Sequence, residues 1–377
     1  MEINKDDIEC FIQCNSELSL DEILKNLDNI YDVNISDNIK RYTVHTIAKN
    51  VYEHVQELKI IYEKRKRKLI ELKKLKLPDQ RSPEWYEMRK KRLTASSLAS
   101  AIGKDHFTSR DELILSKLEP KPYESNPITE WGVKYEDVAI MFYEELYNVK
   151  VLDFGLVPHP EFDAFGASPD GICDDTGNLE YIGRMVEIKC PPKRKFTATV
   201  PPHYKMQVLG QLEVCDLDEC DFFQVKIEEY DNYEDYCKDI FIIDDSIVVG
   251  RTNLNYPKGV TITYKIDDKL IYKYCRLNQT NEELLKWIEE NKTETIHEVK
   301  WWKITRYECT LVKRDNDWWV EIVGSILKFY NDLLYYKNDE NRKELKEKVE
   351  KSKKRYRKNK PVEPLQDYLL ISEDEDN

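Results

Sequence analysis

The N-terminal part of the chain has apolar residues at helical spacing. They recur every three or four positions, most clearly in the series Val44, Ile47, Val51, Val55 and Leu58, as on one face of an amphipathic helix. Ser19-Leu-Asp-Glu22 has the spacing of a helix-capping box, and Pro78 closes the segment because proline cannot continue a helix. The pattern predicts a helical extension over residues 1–80.

Both helices and strands are predicted beyond residue 80. Residues 131–147 and 317–336 have helical patterns, whereas 301–307 is rich in strand-forming residues. β-Branched and aromatic residues predict three further strands, at 222–228, 240–243 and 260–264. The fold class is therefore α/β.

One stretch in the middle of the chain combines strand patterning with carboxylates. Gly166-Ala-Ser-Pro-Asp170-Gly is followed by Met185-Val-Glu187-Ile-Lys189, and in a strand Glu187 and Lys189 share one face while Ile188 points into the core. Asp174-Asp175-Thr-Gly177 tolerates a tight turn, which predicts a β-hairpin with carboxylates on adjacent strands. The residues alone leave open an ordinary turn and an amphipathic strand with exposed Glu and Lys.

Two carboxylates beside an ammonium suit metal-dependent cleavage of phosphodiesters, because hard divalent ions take oxygen ligands. Ser168-Pro-Asp170 with Glu187-x-Lys189 resembles the PD-(D/E)xK nuclease core. A composition rich in Lys, Asn and Ile suits the AT-rich genome of a large DNA virus. Residues 81–230 resemble the phage-lambda-type exonucleases and YqaJ viral recombinases in four ordered blocks. These are Glu84-Trp85-x3-Arg89-x4-Thr94-Ala95-Ser96, Gly132-x2-Tyr135-Glu136, the hairpin, and Tyr204-x2-Gln207-x3-Gln211.

The resemblance implies a PD-(D/E)xK core, a central mixed sheet flanked by helices, with a helical N-terminal and an α/β C-terminal extension. It implies that Asp170, Glu187 and the Ile188 carbonyl ligate Mg²⁺ or Mn²⁺, with two ions per site, and that Lys189 orients the attacking water. Glu136 is expected to face the metal, directly or through water, and Gln207 to help arrange the site. Gln211 is the weaker candidate, with a packing or surface role as the alternative.

The resemblance also implies a pocket for a terminal 5′-phosphate or for backbone phosphates. Its members are Arg89, Thr94, Ser96 and Ser168, since hydroxyls at a helix N-terminus and a nearby arginine bind anions. The alternative is helix capping with a surface arginine. Similarly, the pairs at 301–302 and 318–319 are tryptophans that can stack on bases or belong to the core.

The activity implied is 5′-to-3′ digestion of double-stranded DNA ends in recombination or repair, by a homo-oligomer working beside a single-strand annealing protein. An endonuclease and a CRISPR-adaptation nuclease are alternatives, because the same core serves them. A non-catalytic DNA-end-binding module and a glycosidase with a carboxylate pair are further alternatives from other classes. Sensitivity to chelators separates the nuclease from both.

Composition restricts where such a protein binds DNA and where it works. The 377 residues have a net charge of −13, so contact with DNA must be local rather than through bulk charge. Nine cysteines without a Cys-x-x-Cys pair, signal peptide or membrane span predict an intracellular, cytoplasmic protein with free thiols and no iron–sulfur cluster. A viral factory is expected for a viral protein, with the nucleus as an alternative.

The expected domain organisation has four parts. The helical extension at 1–80 precedes a nuclease core at 81–275 and a C-terminal α/β extension at 276–362. Residues 363–377 form an acidic tail, for which disorder is predicted because it has too few apolar residues to bury.

Overall fold

The computed structural model describes residues 3–33, 37–120, 126–193, 196–267 and 269–359. The predicted acidic tail lies outside these residues. The chain divides into two compact units, Met1–Lys73 and Lys74–Asn377. None of the described helices is both long and apolar enough to cross a membrane.

The first unit is a cluster of three helices, which confirms the predicted helical character of the N-terminal part. They are α1 (Lys5–Cys14), α2 (Leu20–Ile30) and α3 (Asn38–Lys73). The capping box begins α2: the Ser19 hydroxyl accepts from the Glu22 N–H, and the Glu22 carboxylate accepts from the Ser19 N–H. The periodic apolar positions meet in one core that includes Ile8, Ile12, Ile23, Leu27, Val44, Val51 and Val55. Because these side chains come from all three helices, the core joins them.

The second unit combines helices with a mixed sheet. Its described helices are α4 (Pro83–Lys91), α5 (Leu98–Ala101), α6 (Arg110–Leu118), α7 (Pro127–Tyr147), α8 (Pro202–Cys215), α9 (Tyr233–Lys238), α10 (Asn281–Glu290), α11 (Asn316–Tyr335) and α12 (Asp339–Asn359). Its described strands are β1 (Leu93–Thr94), β2 (Val149–Leu152), β3 (Val157–Pro158), β4 (Phe165–Ala167), β5 (Gly171–Gly177), β6 (Met185–Lys189), β7 (Glu219–Glu229), β8 (Phe241–Ile243), β9 (Ser246–Val248), β10 (Lys258–Ile266), β11 (Lys269–Tyr274) and β12 (Ile296–Lys313).

Seven of the strands form the central sheet, in the order β11-β10-β12-β7-β6-β5-β2. β6 and β7 are parallel and the other neighbours are antiparallel. The smaller sheet β1-β4-β3 and the hairpin β8-β9 lie outside it. A mixed sheet flanked by helices confirms the predicted α/β fold and PD-(D/E)xK-type core.

Helices cover both faces of the sheet around β6. Ile188 packs in the core against α7, with Val138 and Phe142 among its neighbours in that cluster. Glu187 contacts α8 instead, because successive side chains of a strand point to opposite faces. The position of each catalytic candidate on β6 is thus determined by the same alternation that buries Ile188.

Two details differ from the expectations or extend them. Asp174 and Asp175 belong to β5, and residues 178–184 make the connection to β6. The predicted turn at 174–177 was therefore wrong in position, although the hairpin itself is present. The predicted C-terminal extension contributes β12 to the middle of the central sheet, and the four domain boundaries stay predictions.

Candidate active site

The hairpin brings Asp170 next to β6. Gly171 pairs with Val186 in antiparallel register, which places Asp170, one residue earlier, beside Glu187. The Ile188 N–H donates a 2.7 Å hydrogen bond to Asp170 Oδ2. The predicted convergence of the two carboxylates thus follows from strand pairing.

Three oxygens surround the ammonium of Lys189. Its Nζ donates to Glu187 Oε1 and, at 3.1 Å, to the Ile188 carbonyl, and it lies 4.0 Å from Asp170 Oδ2. The ammonium therefore stands where a cation would meet all three predicted metal ligands. Across the described ranges no three His, Cys, Asp or Glu side chains are grouped to hold a metal by themselves. A metal bound here requires the Ile188 carbonyl and water as additional ligands, a donor set that suits hard divalent ions.

Glu187 is fully buried and is held by two glutamines of α8. Its side chain is 1% exposed; Gln207 Nε2 donates to Oε1 at 2.6 Å and Gln211 Nε2 donates to Oε2 at 2.7 Å. The alternative of an exposed Glu and Lys on an amphipathic strand is excluded by this burial. Gln211, treated as the weaker candidate, contacts the site as directly as Gln207, and its i, i+4 spacing from Gln207 was the available signal.

The ionisable groups of the cluster shift one another's pKa values. Burial and the neighbouring Glu187 raise the pKa of Asp170 well above its ordinary value, against the opposing effects of Lys189 and the Ile188 N–H. Burial disfavours the charged Lys189, but Glu187 and Asp170 outweigh this and raise its pKa. The two carboxylates therefore favour the charged form of Lys189, whereas burial and Glu187 disfavour the charged form of Asp170.

Glu136 lies on α7 at the edge of this cluster. Burial raises its pKa, and the charges of Arg81, Asp137, Lys189 and Glu187 act on it. Both its carboxylate oxygens accept from Arg81 Nη2, at 3.0 and 2.9 Å. The structure thus brings Glu136 close to the predicted metal ligands but pairs it with an arginine that the sequence did not single out.

The four residues predicted for phosphate binding form one connected group. Arg89 stacks over the Trp85 ring, 4.4 Å from its centroid, and its Nη2 donates to Ser96 Oγ at 3.2 Å. Thr94 Oγ1 lies 3.1 Å from Ser96 Oγ, and Trp85 Nε1 donates to Ser168 Oγ at 2.8 Å. Among the described residues, neither the Thr94 nor the Ser97 hydroxyl caps the helical turns at 95–101. These contacts do not support the capping alternative.

A cleft of about 1620 Å³ passes along Arg89. Seven cations and four carboxylates line it: Arg81, Arg89, Lys90, Lys117, Lys269, Lys346 and Lys353, with Glu112, Glu119, Glu130 and Glu350. Lys117 donates to the carbonyls of Arg89 and Arg92, at 2.8 and 2.6 Å, and burial lowers its pKa to about 8. Lys117 belongs to no motif, so the sequence offered no signal for it.

Comparison with known proteins gives one family match and several relatives. Residues 84–218 match the YqaJ-like viral recombinase domain. An uncharacterized protein of Acanthamoeba polyphaga mimivirus is 32% identical in an alignment of 329 residues that covers 78% of this chain and 58% of that protein. A protein of African swine fever virus is 26% identical over 158 residues, covering 36% of this chain and 46% of its own length. The chain thus spans about half the length of these relatives.

A solved structure is also similar. It is the alkaline exonuclease LHK-Exo from Laribacter hongkongensis, with 20% sequence identity and a TM-score of 0.40. The similarity covers 72% of this chain and 99% of that structure.

Proposed function

We propose that this chain is a member of the YqaJ-like viral recombinase family, whose domain its residues 84–218 match. The protein is a divalent-metal-dependent deoxyribonuclease that digests double-stranded DNA from its ends in the 5′-to-3′ direction. The observation that carries this proposal is the convergence of Asp170, Glu187 and the Ile188 carbonyl on one cationic position.

The donor set fits Mg²⁺ or Mn²⁺, because two carboxylates and a carbonyl are hard oxygen ligands. Asp170, Glu187 and the Ile188 carbonyl would hold such an ion, which would polarise the phosphate and lower the pKa of a water bound to it. A second ion would use Glu136. Other groups of the protein orient the two carboxylates. Gln207 and Gln211 donate hydrogen bonds to Glu187, and the Ile188 N–H donates to Asp170. Lys189, whose charged form the neighbouring carboxylates favour, orients the attacking water and stabilises negative charge on the phosphate.

Recognition of the DNA end is assigned to the group around Arg89. Its guanidinium and the hydroxyls of Thr94, Ser96 and Ser168 hold the terminal 5′-phosphate, as charge-assisted hydrogen bonds favour a dianion. Gln211 supports a short distance between these phosphate-binding residues and the proposed metal ligands. Its Nε2 donates both to Ser168 O, at 3.3 Å, and to Glu187. A phosphate held there leaves the adjacent end of the strand near the carboxylates, which favours 5′-to-3′ polarity.

The biological setting belongs to the same proposal. Relatives in two large DNA viruses support a role in viral recombination or repair inside the infected cell, in the cytoplasm or a viral factory, with the nucleus as the alternative. A single-strand annealing protein would use the strand that digestion exposes. A homo-oligomer would keep the enzyme on its substrate.

Digestion of end-labelled linear duplexes and of covalently closed circles tests the activity, its polarity and its requirement for ends together. We expect Mg²⁺ or Mn²⁺ to support release of nucleotides from the 5′ end of the linear duplex only, and EDTA to stop it. A 5′-phosphorylated end should be digested faster than a 5′-hydroxyl end, and Arg89→Ala should remove that preference. Cleavage of circles as fast as linear DNA would identify an endonuclease, and activity in EDTA would refute the metal site.

A further inference from the structure

Arg81 makes a contact that the reaction outlined above does not use. Its Nη2 donates to both oxygens of Glu136, the carboxylate that would serve a second metal ion. The contact is charge-assisted and reaches both carboxylate oxygens from this one nitrogen. While this pair persists, both oxygens of Glu136 accept hydrogen bonds from Arg81. The guanidinium then competes with a metal ion for the carboxylate.

The loop that carries Arg81 is fixed in an unusual conformation. The φ angle of Arg81 is +64°, in the left-handed region that glycine adopts readily and that is strained for a residue with a Cβ. The neighbouring Gln80 fastens the loop, since its Nε2 donates to Asp153 Oδ1, Phe154 O and Pro169 O, each at 3.0 Å. Pro169 directly precedes Asp170, so this hydrogen bond links the loop that positions Arg81 to the segment that positions the proposed metal ligand Asp170.

Besides Glu136, Arg81 lies near two further carboxylates and the cleft. The charges of Asp137 and Asp170 also act on its guanidinium. Its side chain is 44% exposed and lines the cleft together with Arg89 and Lys90. A DNA phosphate in this cleft would therefore compete with Glu136 for the same guanidinium.

We propose that Arg81 controls how many divalent ions the site binds, and that it does so by exchanging between Glu136 and a DNA phosphate. This inference rests on the proposed function. Without DNA, Arg81 holds Glu136 and one ion binds to Asp170, Glu187 and the Ile188 carbonyl. A phosphate in the cleft takes the guanidinium, because a phosphate also accepts its paired N–H groups, and Glu136 is released for a second ion. Arg81 is thus a positioning residue that makes full metal loading depend on substrate.

Counting bound Mn²⁺ by equilibrium titration, with free Mn²⁺ followed by electron paramagnetic resonance, tests this directly. The variant is Arg81→Gly, because glycine accepts the positive φ and removes the guanidinium without adding backbone strain. The matched control is Arg251→Ala: Arg251 pairs with Glu145 on the same helix α7. Each protein is titrated alone and with a 5′-phosphorylated blunt duplex whose terminal linkages are phosphorothioates that resist cleavage.

We expect one Mn²⁺ per chain for the wild type and for Arg251→Ala alone, and two when the duplex is present. Arg81→Gly should bind two ions without DNA, the second at least about tenfold more tightly than in the wild type. Equal stoichiometry and affinities for Arg81→Gly and the wild type would overturn the inference while leaving the nuclease proposal intact. Mn²⁺ binding that is unaffected by Asp170→Asn would refute the metal site itself, and the inference with it.

Discussion

Glu187 is the residue on which the site depends most. A buried ionised carboxylate is costly unless it is fully hydrogen-bonded and paired. Glu187 is 0% exposed and receives hydrogen bonds from Lys189, Gln207 and Gln211. These three donors hold both carboxylate oxygens in fixed positions, as the proposed role of Glu187 as a metal ligand requires.

Gln211→Leu removes the donor to Glu187 Oε2 at nearly constant volume. We expect Mn²⁺ affinity and turnover to fall by about 10- to 100-fold, the usual loss when a group that orients a metal ligand is removed. Calorimetric titration and initial rates measure the two effects, and a thermal melt establishes that the variant folds. Unchanged metal affinity in a folded Gln211→Leu protein would show that Gln211 has only a packing role.

Asp170 should destabilise the metal-free protein increasingly as the pH rises above 3.8. Its pKa is raised above the ordinary 3.8 in the folded state, so the folded state binds the proton more tightly than the unfolded state. Stability is therefore lost as the pH rises from 3.8 through the folded-state pKa. Asp170→Asn removes this cost and retains an oxygen for the Ile188 N–H.

In EDTA at pH 8 we expect Asp170→Asn to melt above the wild type, by about 2–4 °C for each kcal/mol gained. The difference should shrink as the pH falls toward 3.8, and added Mn²⁺ should stabilise only the wild type. Melting curves across this pH range measure both effects. A wild-type protein that is the more stable of the two in EDTA at pH 8 would contradict the assigned shift.

At the scale of elements, α8 must approach the chain around Ala95 closely. A Cβ at Gly210 would lie 2.9 Å from Leu98 Cδ2 and 3.4 Å from Ala95 Cβ. Leu98 is 0% exposed and has little room to move. Gly210 therefore sets the distance between the two glutamines of α8 and the candidate phosphate-binding residues, which include Ser96.

Gly210→Ala should destabilise the protein and slow digestion, even though alanine favours a helix by about 1 kcal/mol over glycine. Overpacking a filled core costs about 1–3 kcal/mol, which exceeds that gain. Gly324→Ala on α11 is the matched control, because nothing lies within 4 Å of its added Cβ, and it should be stabilising. Denaturant unfolding and initial rates check both; a Gly210→Ala protein as stable and active as the control would contradict the close packing.

Elements with a local signal were predictable from the sequence. The capping box of α2, the helix α7 and the strand β7 each follow from spacing and composition. The hairpin was predicted, but its turn was misplaced because Asp174 and Asp175 tolerate either a turn or a strand end. The insertion of β12 between β10 and β7 depends on pairing between distant segments, which local patterns do not encode.

The site was predictable to the extent that its residues lie in motifs. Asp170, Glu187, Lys189 and Arg89 came from ordered blocks, and strand alternation placed two of them on one face. Arg81 in a loop and Lys117 on a helix carry no periodic pattern. Their positions follow from tertiary contacts with Glu136 and with the end of α4, so only the folded chain identifies them.

At the scale of the whole molecule, charge is separated. The chain has a net charge of −13, yet cations exceed carboxylates by three around the cleft. An acidic surface repels the DNA backbone, whereas this cleft attracts it. This excess of cations supports the assignment of DNA to the cleft that Arg81 and Arg89 line.

The central claim is that Asp170 and Glu187 hold the divalent ion with which this protein hydrolyses DNA. The most direct measurement is the initial rate of nucleotide release from a 5′-phosphorylated linear duplex, in Mg²⁺ and in Mn²⁺, by the wild type, Glu187→Gln and Glu219→Gln. Glu219 pairs with Arg184 and serves as the control. We expect Glu187→Gln to fold and to lose more than about 100-fold in rate, beyond the loss from removing a group that only orients a ligand. A folded Glu187→Gln protein, purified free of other nucleases, that digests DNA as fast as Glu219→Gln would contradict the account.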